Sequence, residues 1–278
     1  GGFKRAYKSY LDPKKIITVT KDSVDYKEYD KLFKLYNKLN SLDKKFIKCL
    51  LTPNKIGIFS YYDAMNIPGL NTYVKNLHYN LNEYTLTILM ELPYCKNGDG
   101  SNALEDNYDS FLEITNIDFY NNMIELLETV NELHKNYISC LDIKPLNIFV
   151  NCLSKKYFSF GDTDGFELHE SKEKMYTRRS CPVSLNYAAM GIRSYENGRA
   201  GTGPNTDWFA ILLSILKFYF FKKYYIYDTY VFINMVLKTP KDKRLPSHLE
   251  IGDANSNYFI DDLYDYAKKH LFSKKMPV

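Results

Sequence analysis

No apolar run in this 278-residue sequence approaches the roughly 20 residues that a membrane-spanning helix needs. The longest candidate, Trp208–Phe221, is interrupted by Ser214 and Lys217. The opening residues, Gly-Gly-Phe-Lys-Arg, are not those of a secretory signal peptide. We therefore expect a cytoplasmic protein without a membrane span.

Cysteine is scarce, and its positions form no known pattern. The five cysteines are odd in number, scattered, and include no C-x-x-C pair. This argues against a disulfide framework or a zinc site and favours a reducing compartment. The five histidines are equally dispersed, so no transition-metal site is predicted.

An excess of charge of one sign is also lacking. The net charge is only +4, and lysines alternate with acids, as in Lys241–Arg244. Such alternation is typical of solvated faces, so no direct nucleic-acid binding is predicted. The abundance of Tyr, Lys, Asn and Ile suggests an AT-rich genome, such as that of a large DNA virus or a parasite. A viral chain would be expected in the host cytoplasm or in the virion.

What the sequence does contain is the composition of an ordinary globular protein, with 45% hydrophobic and 25% charged residues. The length suffices for one large domain or for two lobes with their own cores. Hydrophobic periodicity predicts an amphipathic helix over Tyr26–Leu39. Strands are predicted on either side of it, at Ile16–Lys21, Lys55–Tyr61 and Thr85–Glu91.

From Phe111 onward the pattern becomes helical. A connector rich in Gly, Asn and Asp is predicted over Pro93–Asp109. The elements predicted after it are a long helix at Asp118–His134, a strand at Tyr157–Phe160, a loop-like stretch over 163–205, and helices at Asp207–Phe220 and Tyr258–Leu271. A small β-rich part therefore precedes a larger helical part, which predicts an α+β fold.

The run over residues 138–150, Ile-Ser-Cys-Leu-Asp-Ile-Lys-Pro-Leu-Asn-Ile-Phe-Val, places three polar groups close together between a helix and a strand. Phosphoryl transfer needs a carboxylate to orient the attacking hydroxyl, a cation near the transferring phosphate, and oxygen ligands for a metal ion. Asp142, Lys144 and Asn147 are the candidates for these roles. The run resembles the catalytic loop H-R-D-x-K-P-x-N of eukaryotic-type protein kinases.

Upstream segments resemble the nucleotide-binding part of the same family. Gly1–Lys8 is similar to the end of the glycine-rich loop, which gives Gly2, Phe3 and Ala6 as nucleotide contacts and implies a preceding first strand that this sequence lacks. Thr18–Lys21 resembles the V-A-I-K strand, so Lys21 would contact the α- and β-phosphates.

Glu28 is the candidate for the helix glutamate that pairs with that lysine, with Asp25 and Asp30 as competing acids. A solvated helix acid is the alternative interpretation.

Leu89–Pro93 resembles the hinge of the family. Met90 would be the gatekeeper, and the backbone around Glu91 and Leu92 would meet the adenine. Pro93 has no N–H, so a hydrogen-bond donor there must come from Leu92 or Tyr94.

Phe160–Gly165 resembles the D-F-G segment, with Thr and Asp in place of Phe and Gly. This register makes Asp162 the magnesium ligand together with Asn147, while Asp164 remains an alternative.

Two later motifs complete the resemblance. Ser184–Ala189 is similar to T-P-x-Y-x-A, and Ser184 would bridge Asp142 and Lys144. Thr206–Ala210 is similar to D-x-W-S-x-G, and Asp207 would hydrogen-bond the backbone of the catalytic loop from within the core. An ordinary acid at a helix N-terminus is the alternative for Asp207.

The resemblance implies a bilobal kinase-like fold, with an N-lobe over residues 1–92 and a C-lobe over 93–278. It also implies ATP, Mg²⁺ and transfer of the γ-phosphate to Ser or Thr hydroxyls of protein substrates, since Lys144 marks the serine/threonine class. Two alternatives stay open: a pseudokinase that acts as a binding module, and a small-molecule kinase of the aminoglycoside or choline type.

Leu141 stands where kinases that respond to activation-loop phosphorylation carry an arginine. That arginine pairs with the new phosphate, and an apolar Leu cannot. Arg178 and Arg179 in the loop itself are a weaker alternative partner. We therefore expect activity without loop phosphorylation.

Overall fold

The computed structural model describes residues 4–20, 24–75, 85–105, 108–153, 156–175 and 204–224. Contacts between Cα atoms divide the chain into two compact units. The first unit comprises Gly1–Asp43 and Leu51–Lys96, and the second comprises Lys44–Leu50 and Asn97–Val278. The predicted domain boundary lies between residues 92 and 93. The observed units separate after Lys96 and assign Lys44–Leu50 to the second unit.

The first unit contains an antiparallel sheet of four strands in the order β1-β2-β4-β3. The strands are β1 (Lys4–Lys8), β2 (Lys15–Thr20), β3 (Lys55–Ser60) and β4 (Leu86–Pro93). β-branched residues dominate β2, as suits a pleated and half-buried surface. The three strands predicted here are confirmed, with ends that differ by one or two residues.

Helix α1 (Tyr26–Ser41) confirms the predicted helix and extends it by two residues. A capping box begins it: the Asp25 side chain accepts from the Glu28 N–H, and the Glu28 carboxylate accepts from the Asp25 N–H. Its buried face consists of Leu35, Tyr36 and Leu39.

Two short helices of the first unit were not predicted, α2 (Tyr61–Asn66) and α3 (Asn71–Val74). They pack on the sheet through a cluster that includes Ala64, Val74 and, from the strands, Val19 and Leu89. Helices of six and four residues are too short for a 3.6-residue pattern to be recognised, so tertiary packing rather than propensity holds them.

The second unit is largely helical, with α4 (Gly100–Glu105), α5 (Tyr108–Leu112), α6 (Asn116–Lys135) and α7 (Pro204–Tyr224). The predictions for α6 and α7 are confirmed. The connector predicted over Pro93–Asp109 is wrong in part, because α4 forms within it and α5 begins there. The core contains edge-to-face and tilted aromatic pairs among Phe111, Phe119, Phe158 and Phe218.

Two small antiparallel strand pairs complete the described part of this unit. Strand β5 (Ile138–Ser139) pairs with β8 (Glu167–Leu168), and β6 (Ile148–Leu153) pairs with β7 (Lys156–Phe160). The segment 140–147 runs from β5 to β6, and the segment 161–166 runs from β7 to β8. Each segment therefore begins and ends at strands that pair with the strands flanking the other segment. The two segments consequently lie side by side.

None of the described helices is long and apolar enough to cross a membrane. Among the described cysteines, Cys49 and Cys140 are buried and form no disulfide, whereas Cys95 is disulfide-bonded. Spacing along a sequence could not show it, because a disulfide depends on the distance in space between two Cα atoms.

Candidate active site

Asp142, Lys144 and Asn147 form one hydrogen-bonded cluster in the segment between β5 and β6. The Lys144 Nζ donates to Asp142 Oδ2 at 2.6 Å. The Asn147 amide nitrogen donates to the Asp142 carbonyl oxygen at 2.8 Å and lies 3.4 Å from Asp142 Oδ2. The side chain of Asp142 remains 26% exposed. The cluster therefore holds a carboxylate in a fixed position without removing it from solvent.

The residue before Asp142 adopts an unusual backbone conformation. Leu141 has φ +64°, and the Asp142 N–H donates across it to the Cys140 carbonyl oxygen at 2.8 Å. Such a three-residue turn is strained for a residue with a side chain. Strain of this kind persists only where the surroundings enforce it.

The Asp207 carboxylate supplies that enforcement. This acid lies at the start of α7 and is 1% exposed. It accepts from the Cys140 N–H at 2.7 Å and from the Leu141 N–H at 2.8 Å. The hydrogen bonding expected of Asp207 is thus confirmed.

His134, in the last turn of α6, was missed by the sequence reasoning. Its Nε2 lies 2.9 Å from Asp207 Oδ2, and the Trp208 ring meets it edge-on. The signal that could have revealed it is the apolar stripe of α6, since Leu126, Val130 and Leu133 precede it on the buried side. A histidine at the end of such a stripe needs a buried polar partner.

The Cys140 thiol lies in the same buried region. Burial raises its pKa well above the ordinary value, and the negative charge of Asp207 adds to the effect. The thiol therefore stays protonated and is not a candidate nucleophile.

Asn147 and Asp162 lie at the same end of the β6–β7 pair. Ile148 is opposite Phe160, and the Gly161 N–H donates to the Asn147 carbonyl oxygen at 2.9 Å. Asp162 has φ +53° and ψ +38°, and it precedes a 3₁₀ turn over Thr163–Gly165. Its side chain is exposed, whereas that of Asp164 is half-buried.

Gly161 is required by packing, because a Cβ atom there would lie 2.3 Å from the Phe149 ring.

The donor set can be compared with what a magnesium ion requires. Carboxylate and amide oxygens are its preferred protein ligands. The Asn147 amide nitrogen is engaged as a donor, so the amide oxygen is the atom free for a metal, and Asp162 offers a carboxylate. Within the described residues, no group of three or more His, Cys, Asp or Glu side chains is close enough to form a metal site. An Asp–Asn pair completed by phosphate oxygens and water still fits Mg²⁺.

In the first unit, two of the predicted nucleotide contacts share one face of the sheet. Ala6 is opposite Thr18, and Thr18 is opposite Met90. The Tyr36 hydroxyl contacts Met90 Sδ at 3.5 Å, so this is the face that α1 covers. The buried hydroxyl of Thr18 has no hydrogen-bond partner, and the sequence reasoning did not single it out.

The predicted hinge is part of strand β4, and several of its polar groups are engaged. The Glu91 carbonyl oxygen accepts from the Asn54 N–H at 2.7 Å, and the Glu91 carboxylate accepts from Lys15 Nζ at 2.8 Å. The Tyr94 N–H, one of the two predicted donors, donates to the Lys14 carbonyl oxygen at 2.8 Å. Leu92 is opposite Ile16 in the β2–β4 pairing.

The three candidate acids at the start of α1 have local roles. Glu28 is exposed and belongs to the capping box. Asp25 is the N-cap, and Asp30 pairs with Lys34 at 2.6 Å. The predicted ion pair of Glu28 stays a prediction, because Lys21 lies outside the described residues. Gly2, Phe3 and Ser184 also lie outside them.

No protein-family model and no curated protein matches this chain.

Proposed function

We propose that this chain is an ATP-dependent serine/threonine protein kinase whose phosphotransfer centre is the Asp142–Lys144–Asn147 cluster. The observation that carries the proposal is the pair of contacts that Asp142 makes with Lys144 Nζ and the Asn147 amide. They hold a carboxylate, a cation and an amide oxygen in one place, which is the set that phosphoryl transfer requires.

Each residue has a distinct role in this proposal. The Asp142 carboxylate accepts the proton of the attacking Ser or Thr hydroxyl as its oxygen bonds to the γ-phosphorus and the bond to the ADP oxygen breaks. Lys144 lies beside that carboxylate and offsets negative charge on the transferring group. Asn147 and Asp162 would hold Mg²⁺, which supplies charge neutralisation on the phosphates when bound.

A bilobal kinase-like fold is part of the proposal. It is supported by a four-stranded antiparallel sheet with α1 on one face, followed in the chain by a helix-rich unit that contains the cluster. In the first unit, the shared face of Ala6 and Met90 supports a nucleotide-binding role for that side of the sheet.

One observation favours the pseudokinase alternative. The Glu91 carbonyl and the Tyr94 N–H in the predicted hinge are already engaged in backbone hydrogen bonds, and Glu28 caps its own helix. A chain that binds nucleotide weakly, or not at all, would act as a binding module.

The experiment is a phosphotransfer assay with radiolabelled ATP and Mg²⁺, run with casein, with no acceptor, and with choline or kanamycin as acceptor. We expect labelled casein or labelled enzyme, with phosphoserine or phosphothreonine on acid hydrolysis. Label on choline or kanamycin alone would assign the small-molecule class. No transfer to any acceptor, with nucleotide binding still detectable by calorimetry, would assign the binding module.

A further inference from the structure

A cavity of about 440 Å³ lies within the first unit, and no residue of the Asp142–Lys144–Asn147 cluster lines it. Its walls come from the turn between β1 and β2, from β3 and β4, and from the segment that joins α2 to α3. Sites for small molecules in proteins commonly enclose roughly 300–1,000 Å³. The cavity is therefore large enough for a ligand of one or two rings.

The Leu89 and Glu91 side of the sheet forms one wall of the cavity, and Ile56 and Met90 also line it. The Met90 side chain contacts Tyr36 of α1, and side chains alternate along a strand. Leu89 and Glu91 therefore point to the other face, where Leu89 packs with Tyr73 of α3. Both residues line the cavity. Ala6 and Thr18, which share the Met90 face of the sheet, do not line the cavity.

Apolar and aromatic side chains form most of the wall. Ile17 and Leu89 contribute from the strands, Phe59 from the end of β3, and Leu70 and Tyr73 from the helical segment. The aromatic rings of Phe59 and Tyr73 favour a ligand with a planar ring, since stacked and edge-on ring contacts add to the free energy of burial.

The polar end of the cavity carries balanced charge. Lys15 Nζ donates to Glu91 Oε1 at 2.8 Å and lies 3.7 Å from Asp12. Lys55 is the other cation that lines the cavity. The hydrogen bond to Glu91 raises the pKa of Lys15, so the lysine stays cationic. Two cations and two anions sum to zero, so a charged ligand would meet a like charge as well as an opposite one.

The walls are held in place before any ligand binds. The Tyr10 N–H donates to the Tyr73 hydroxyl at 3.1 Å, which ties the β1–β2 turn to α3. The Asp12 N–H donates to Ser9 Oγ at 3.2 Å within the turn. Such preorganisation lowers the entropic cost of binding.

We propose that this cavity binds an uncharged aromatic small molecule, whose ring lies among Phe59, Leu70 and Tyr73 and whose polar edge exchanges hydrogen bonds with the Lys15–Glu91 pair. The ligand would contact none of the residues of the Asp142–Lys144–Asn147 cluster. The ligand class follows from the aromatic wall and the zero net charge.

The test uses three probes of the same shape: indole-3-acetamide, indole-3-acetate and tryptamine, which are neutral, anionic and cationic. Binding to the full chain is measured by calorimetry and by saturation-transfer NMR. We expect the neutral probe to bind with Kd of about 1 mM or tighter, as its size allows, and about ten-fold tighter than either charged probe. No saturable binding of the neutral probe at such concentrations would overturn the proposal.

Two substitutions locate the site. Ile17→Phe fills the cavity and should abolish binding, whereas Ile16→Phe, one residue away on the opposite face, should leave it within about two-fold. Equal loss in both variants, with folding intact by circular dichroism, would overturn the assignment. If Ile17→Phe does not fold, Leu70→Trp fills the cavity from the other wall and takes its place.

Two further substitutions test the charge argument. Lys15→Met leaves Glu91 uncompensated and should shift the preference toward tryptamine. Glu91→Gln should shift it toward indole-3-acetate. Unchanged probe order in both variants would contradict the role of the ion pair.

Saturating ADP with Mg²⁺ should not displace the neutral probe. Displacement would overturn the assignment, because it would place the nucleotide in the same cavity.

Discussion

The segment 140–147 and the predicted hinge were both identified from sequence motifs, yet their polar groups are used differently. In the segment 140–147, side chains hold one another and leave the Asp142 carboxylate reachable. In β4, backbone groups of Glu91 and Tyr94 are engaged with neighbouring segments. The first arrangement is organised to present a side chain, and the second to maintain a sheet. The comparison teaches that a sequence motif predicts the positions of its side chains most reliably where those side chains hydrogen-bond to one another.

The largest expected effect tests the segment directly. Asp142→Asn should lower the phosphotransfer rate by about 10²–10⁴-fold, the range for loss of a positioned acid–base group, and leave nucleotide affinity nearly unchanged. Single-turnover transfer and calorimetry with ADP measure the two quantities. Glu170→Gln, an exposed acid of the second unit, is the control. Wild-type turnover in Asp142→Asn would exclude this residue from the chemistry.

The next effect tests what holds the segment. Asp207→Ala removes the acceptor of two backbone N–H groups and of His134, and we expect a loss of about 3 kcal/mol or more in the free energy of unfolding, because buried donors are left unpaired. Urea denaturation measures it.

Asp118→Ala removes the same kind of acid from the first turn of α6, where it accepts from the Thr115 hydroxyl, and should cost only about 1 kcal/mol. Similar losses in the two variants would mean that Asp207 does not hold the turn.

A smaller and selective effect separates the two acids after β7. Asp162→Ala should weaken Mg²⁺-dependent ATP binding by about ten-fold or more, whereas Asp164→Ala should change it far less, because the Asp162 carboxylate is the more exposed. Calorimetry with and without Mg²⁺ provides the readout. The opposite order would assign the metal to Asp164.

On the sheet side, Thr18→Val should raise the free energy of unfolding by about 1 kcal/mol, because it removes a buried hydroxyl that has no partner. Thr20→Val is the matched control on the same strand. The Thr20 hydroxyl accepts from the Ile88 N–H at 3.0 Å and contacts Thr87 Oγ1 at 3.1 Å, so its loss should destabilise by about as much. A change of the same sign in the free energy of unfolding of both variants would contradict the assignment of hydrogen bonds on this face.

The smallest expected effect is that of loop phosphorylation on the phosphotransfer rate, which should be absent. Complete dephosphorylation, checked by intact mass, should leave the rate within about two-fold, because the half-buried Leu141 offers no group that binds a phosphate. A fall of about ten-fold, equivalent to about 1.4 kcal/mol in the barrier, restored by phosphate at one loop site, would show that another residue receives the signal.

Sequence reasoning predicted the parts of the structure that depend on near neighbours. Asp142, Lys144 and Asn147 lie within six positions, so their spacing alone brings them together. The periodicity of α1, the helical pattern of α6 and the long apolar run of α7 were sufficient to predict each helix.

What it could not predict depends on distant segments. Helices α2 and α3 are too short to show a period in the sequence, and the cavity is lined in part by α3 and by the segment that joins α2 to α3. Glu28 fits a kinase glutamate and a capping box equally well by sequence, and only the contact with the Asp25 N–H distinguishes its present role.

The position of Asp207 late in the chain determines when, during translation, the Leu141 turn can be stabilised. It reaches Cys140 and Leu141 across 67 and 66 positions of the chain. A nascent polypeptide has made every residue of the 140–147 segment long before it makes the acid that holds the Leu141 turn. Until α7 emerges and docks, the strained turn has no stabilising partner and should relax to negative φ. Catalytic competence would then arise late, in one step with the folding of α7, and a ribosome-stalled chain that ends before residue 204 would be inactive although it contains all three residues of the cluster.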